Sequence, residues 1–177
     1  MLQEISKSQF NDIVSYVMSL ENKNFQNYLL GKCGEVAFHN FINTYDLFDN
    51  FYRDDLNESI LKPLNHADDG YDCKIISKVS NRVFNVQIKT TTSNPKNKNI
   101  ILNKKLYNSK LDYYNKIPQD IFIFIKHISG LTYDIKGFIT KENAIKVKIK
   151  DKPILGCYSI NEQYLLPMNY FNEKYLN

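Results

Sequence analysis

The chain has 177 residues, 43% of them hydrophobic and 24% charged, with a formal net charge of +4. That length suits one domain spanning 1–177, the hydrophobic content is enough for a real apolar core, and the charged share is ordinary. The three cysteines, Cys33, Cys73 and Cys157, are odd in number and widely spaced, so they read as reduced thiols and not as a disulfide framework.

In chain order, Met1 to Phe10 lacks the apolar core of a secretion signal. Ser6-Lys7-Ser8-Gln9 fits a capping box, and Phe10, Ile13, Val14, Val17 and Leu20 follow at helical spacing. A second helix is predicted from Asn24 to Thr44, with Phe25, Tyr28, Leu29, Val36 and Phe41 as its apolar stripe. Gly31 and Gly34 interrupt that stripe and permit another backbone to approach closely. Asp49 to Asp69 is polar and reads as loop, with a short strand near Phe51-Tyr52-Arg53. Two strands, Tyr71–Ser77 and Arg82–Thr90, are predicted to form an antiparallel hairpin turning at Val79-Ser80-Asn81. Thr91 to Asn99, with Pro95, reads as a polar loop. Lys104 to Tyr114 is predicted to be helical.

Asp120 to Ile128 is a continuous apolar run, as in a strand buried on both faces. Its core, Ile121 to Ile125, is far too short to span a bilayer. Tyr133–Ile139 is its expected partner across Gly130. Thr140 would cap a short helix ending near Lys146, and Ile154 to Phe171 reads as short strands and turns. This order of elements predicts an α/β fold with a mixed β-sheet flanked by helices. The sheet is mixed because the hairpin is antiparallel while Asp120–Ile128 follows a helical crossover. A soluble, cytoplasmic protein with no membrane partner is expected.

Charge is unevenly placed. Residues 1–73 hold twelve Asp/Glu against five Lys/Arg, whereas residues 74–119 hold ten Lys/Arg and a single acid, Asp112. Carboxylates collect metal ions and lysines collect phosphates. Lys96, Lys98, Lys104 and Lys105 are therefore candidates for nucleic-acid contact, set against the plainer reading of a solvated lysine face.

The residues with chemistry to offer are few. On the strand Arg82–Thr90, alternation sends Phe84, Val86 and Ile88 one way and Asn85, Gln87 and Lys89 the other. Asp72, after Gly70-Tyr71, would lie near Gln87 and Lys89 across the hairpin. A hard cation such as Mg²⁺ wants oxygen ligands. The Asp72 carboxylate, the Gln87 side-chain carbonyl and the Ile88 backbone carbonyl supply three. Lys89 would orient the attacking water, and Glu35 would reach the metal through water. His39, His66 and His127 form no metal spacing with one another or with cysteine. Gly31-Lys32-Cys33 lacks the rest of a phosphate-binding loop.

Gly34-Glu35, Gly70-Tyr71-Asp72 and Val86-Gln87-Ile88-Lys89-Thr90 together resemble the PD-(D/E)XK nuclease superfamily, in the subset with Gln before x-Lys. The resemblance spans roughly Gly31 to Ile128. It implies a restriction-endonuclease-like core and Mg²⁺-dependent hydrolysis of DNA phosphodiesters, with Mn²⁺ able to substitute. Asp72, Gln87 and Lys89 would form the catalytic centre, with Glu35 an accessory acid and a homodimer acting on duplex DNA. Tyr71 stands where the pattern has Pro, and Gln87 is neutral where most members carry an acid. Three alternatives therefore stand beside a restriction-type enzyme: a Holliday-junction-resolvase-like nuclease, a repair nuclease, and a disabled module of the same fold that binds nucleic acid without cutting.

Overall fold

The computed structural model describes residues 1–20, 24–44, 48–52, 72–77, 80–92, 99–103, 119–146, 150–151 and 157–171. The first helix, α1, runs over Lys7–Ser19. Its N-cap is Ser6, whose hydroxyl accepts from the Gln9 backbone N–H while the Gln9 side chain accepts from the Ser6 N–H, so the capping box is formed as the sequence predicts. The second helix, α2, spans Phe25–Thr44, and a short helix, α3, spans Lys141–Lys146. The Asn143 N–H donates to Thr140 Oγ1 at 3.4 Å, which makes Thr140 the cap of α3.

Nine strands are defined among the described residues: β1 (Leu2–Glu4), β2 (Phe48–Tyr52), β3 (Cys73–Ser77), β4 (Val83–Thr91), β5 (Asn99–Asn103), β6 (Ile121–Ser129), β7 (Thr132–Thr140), β8 (Lys150–Asp151) and β9 (Cys157–Asn161). They form a larger sheet in the order β1-β7-β6-β4-β3-β2 and a smaller one in the order β5-β9-β8. In the larger sheet β4 and β6 are parallel, with Gln87 opposite Phe122 and Lys89 opposite Phe124. Its other pairs are antiparallel. The molecule is thus mixed α/β with a mixed sheet and helices, and the hairpin β3–β4 pairs as expected, with Cys73 opposite Val86.

Side-chain alternation explains the layers. Phe84, Val86 and Ile88 of β4 and Ile121, Ile123 and Ile125 of β6 pack against Ile13 and Val17 of α1 and Val36, Ala37, Phe38 and Phe41 of α2. On the opposite face, Phe122 and Phe124 of β6 and Ile139 of β7 meet Ala144 of α3 and Ile160 of β9. Strand β6 is buried on both faces, as its unbroken apolar run requires. Each phenyl ring taken fully out of water, such as Phe38, Phe84 or Phe122, stabilises the fold by about 1.5–3 kcal/mol.

Two expected strands shift and two strands are new. Strand β2 starts at Phe48, three residues before the expected position. Strand β3 starts at Cys73, so Asp72 stands immediately before it. Strand β5 occupies a segment where no element is expected from local pattern. Strand β1 is likewise new, completing the edge of the larger sheet beside β7. The expected helix Lys104–Tyr114, most of the polar loop Thr91–Asn99, Val79 of the turn and the pair Gly70-Tyr71 lie outside the described residues. No helix among the described residues is long and apolar enough to cross a membrane.

Candidate active site

The site begins where β3 begins. The Asp72 N–H donates to the Val86 carbonyl at 2.8 Å, which holds the residue against β4 one position before the strand proper. Its carboxylate then takes over the role of a strand neighbour. Asp72 Oδ2 accepts the Ile88 backbone N–H at 2.6 Å and also the side-chain amide of Gln87. Backbone groups of alternate residues point to the same side of a strand. The Ile88 carbonyl therefore faces the side on which its N–H meets Asp72.

The Gln87 side chain is buried, at 9% exposure for the residue, and its amide nitrogen is committed to Asp72. That leaves its amide oxygen as a neutral donor to a cation. Burial pushes the Asp72 carboxyl above the ordinary carboxylate range, and the positive charge of Lys89, the Ile88 N–H, the positive charge of Lys32 and the Gln87 amide pull it back only in part. An anion in this position is stabilised by any further cation. Asp72, Gln87 and the Ile88 carbonyl present oxygen atoms only, which is the donor chemistry that Mg²⁺ or Mn²⁺ takes. The set is low in charge, and among the described residues no three His, Cys, Asp or Glu side chains gather as a metal-holding group.

The other candidate carboxylate, Glu35, lies on α2. Gly34 lies against Thr90 of β4: a methyl group at Gly34 would overlap Thr90 Oγ1 and stand 2.9 Å from Thr90 Cβ. This close approach of helix to strand, which only glycine permits, seats α2 against the end of β4. Lys32 and Glu35 lie on the same stretch of α2. Lys32 Nζ donates to both Glu35 oxygens, at 2.6 and 2.9 Å, and the two side chains are only 11% and 12% exposed. Glu35 is thus held by a lysine that sequence pattern does not assign to the site. The signal is present in the i, i+3 spacing of Lys32 and Glu35. It is unreadable without knowing that this helical face is buried.

No protein-family model, curated protein or solved structure matches this chain. The site is therefore read from its own geometry. Asp72, Gln87 and Ile88 are brought into direct contact, Lys89 acts on the Asp72 charge, and Lys32 acts on it from α2. Lys96, Lys98, Lys104 and Lys105 lie outside the described residues, as does His66. The other two histidines are accounted for structurally. His39 is within hydrogen-bonding distance of Asn43, and burial lowers its pKa. The His127 ring lies 3.0 Å from the Gly130 carbonyl and packs on Tyr133. Cys33 and Cys73 are buried and not disulfide-bonded.

Proposed function

We propose that the protein is a metal-dependent endodeoxyribonuclease that hydrolyses DNA phosphodiester bonds, built on a restriction-endonuclease-like core. The observation that carries this reading is the convergence on Asp72 Oδ2 of the Gln87 side chain and the Ile88 N–H. One carboxylate thereby gathers the residues of the Gln-x-Lys strand around a single point. The sheet supports it as well: an antiparallel hairpin, β3–β4, followed by a strand parallel to β4, fits the mixed sheet that the resemblance implies.

In this reading Asp72, the Gln87 amide oxygen and the Ile88 carbonyl would hold Mg²⁺ or Mn²⁺, with Glu35 as an accessory acid. When bound, the metal would lower the pKa of water and stabilise the departing oxygen. The chain's own residues do the rest. Two hydrogen bonds fix the Asp72 carboxylate in one orientation. Lys89 orients the attacking water and offsets charge at phosphorus. Burial of Gln87 keeps bulk water from competing at that edge. Cutting both strands of a duplex calls for two such sites, which a two-fold symmetric homodimer supplies.

A second reading has its own support. Gln87 is neutral and Glu35 is ion-paired, so the fold would serve equally as a nucleic-acid-binding module that does not cut. Digestion of supercoiled plasmid, linear duplex and a four-way junction with Mg²⁺ or Mn²⁺ separates these readings. Metal-dependent cleavage of any of them supports the nuclease, and the preferred substrate sorts restriction-type from junction-resolving activity. Binding with no cleavage under any of these conditions overturns it.

A further inference from the structure

We propose that Lys32 is a built-in counter-ion that holds Glu35 away from the metal site until a phosphate group draws the lysine off. The inference rests on the nuclease reading above and adds a residue and a coupling to it.

Three observations carry it. First, the Lys32–Glu35 pair engages both carboxylate oxygens, so a cation competing for Glu35 must displace an ammonium group that donates to each. Second, both side chains are almost wholly buried. A buried pair of this kind loses much of its hydration and is often no more stabilising than apolar residues of the same volume. The apolar core contact of α2 with the sheet is made by Val36, Ala37, Phe38 and Phe41. Third, the pair lies on the stretch of α2 that meets β4, and its lysine acts on Asp72. Gly34, between its two members, is the point at which α2 meets Thr90 of β4, next in sequence to Lys89.

When all four are ionised, Asp72 and Glu35 are balanced by Lys32 and Lys89, and the set carries no net charge. A divalent cation gains little from such a set. A phosphate adds negative charge beside the lysines and gives Lys32 an alternative partner, which frees Glu35 for the cation or its bound water. Coupling of this kind is reciprocal, so the metal would raise phosphate affinity by the same factor.

Mn²⁺ binding to the protein free of DNA, followed by calorimetry, tests the idea in wild type, Lys32→Met, Lys32→Arg and Asp72→Ala. Lys32→Met keeps the length and apolar stem of the side chain, and circular dichroism reports whether each variant folds. Wild type should bind weakly or not at all. Lys32→Met should bind roughly tenfold more tightly, as expected for releasing a carboxylate from a charged hydrogen-bonded partner. Lys32→Arg, which keeps the pair, should behave as wild type. Saturating thymidine 5′-monophosphate, which carries a phosphate and no diester to cut, should then tighten Mn²⁺ binding more in wild type than in Lys32→Met. Folded Lys32→Met with unchanged or weaker Mn²⁺ affinity, or an equal nucleotide effect in both proteins, would overturn the proposal. Failure of the nuclease reading looks different: Asp72→Ala added to Lys32→Met would leave the tightened Mn²⁺ binding of Lys32→Met unaltered.

Discussion

Asp72 stands where a negative charge is costly. Its carboxyl binds a proton more tightly in the folded chain than in the unfolded one, because burial outweighs Lys89, the Ile88 N–H, Lys32 and Gln87. Between the ordinary carboxylate value and the raised one, the folded state therefore holds more protons than the unfolded. Stability contributed by this group falls as pH rises through that window and stays reduced above it. Asp72→Asn removes the penalty and keeps an oxygen for the Ile88 N–H. In chelator, the variant should melt above wild type at neutral pH, and the gap should close as pH falls below the ordinary carboxylate range. Melting curves from about pH 3 to about pH 8 check this; a variant that melts lower throughout would mean that the charge stabilises the fold. Lys89 makes a separate prediction. Lys89→Ala should slow DNA cleavage by on the order of 10²–10⁴ while leaving DNA affinity nearly unchanged, since one lysine among many adds little to phosphate binding. Single-turnover rates and a binding titration measured side by side decide it, and matched losses in both would make Lys89 a binding residue.

At the scale of elements, the two glycines of α2 give opposite predictions for the same substitution. Gly31 has open space around the position of a Cβ. Gly31→Ala should stabilise the protein by about 0.5–1 kcal/mol, the helix-propensity gain of alanine over glycine. Gly34 faces Thr90 with no room for a methyl group. Gly34→Ala should destabilise by about 1–3 kcal/mol through overpacking, and should displace the stretch of α2 that carries Lys32 and Glu35. Urea titration measures both, and a stabilising Gly34→Ala would show that α2 does not press on β4 as described. The same elements show what the sequence could convey. Helix α1 was legible from its capping box, α2 from its stripe, and β4 and β6 from period-two alternation and an unbroken apolar run. Strand β1 was too short to show a period, and its place depends on pairing with β7, more than a hundred residues away in sequence. Strand β5 belongs to a second sheet with β8 and β9, a long-range association that no local pattern encodes. The convergence of Asp72 with Gln87 was legible because a hairpin brings sequence neighbours together. The ion pair at Lys32 was not, because its meaning depends on which helix face meets the sheet.

Across the whole molecule, an acid-rich first part containing Glu35 and Asp72 is followed by a lysine-rich middle. The site residues come from both parts. If the middle segment collects phosphates, replacing Lys96, Lys98, Lys104 and Lys105 together with Gln should weaken binding to all DNA sequences alike. It should also flatten the dependence of log affinity on log salt, by about 0.9 for each duplex phosphate that is no longer neutralised. Salt titrations of wild type and the fourfold variant check this, and an unchanged slope would place the DNA-binding surface elsewhere. Above all, Asp72 is proposed to anchor a metal-dependent cleavage site. The most direct test is conversion of supercoiled plasmid to nicked and linear forms across a Mg²⁺ titration, with wild type and Asp72→Ala side by side and folding checked by circular dichroism. Wild type should cut in a Mg²⁺-dependent manner and stop on addition of chelator, while folded Asp72→Ala should be inert at every concentration. Full cleavage by folded Asp72→Ala, or wild-type cleavage indifferent to metal, would contradict it.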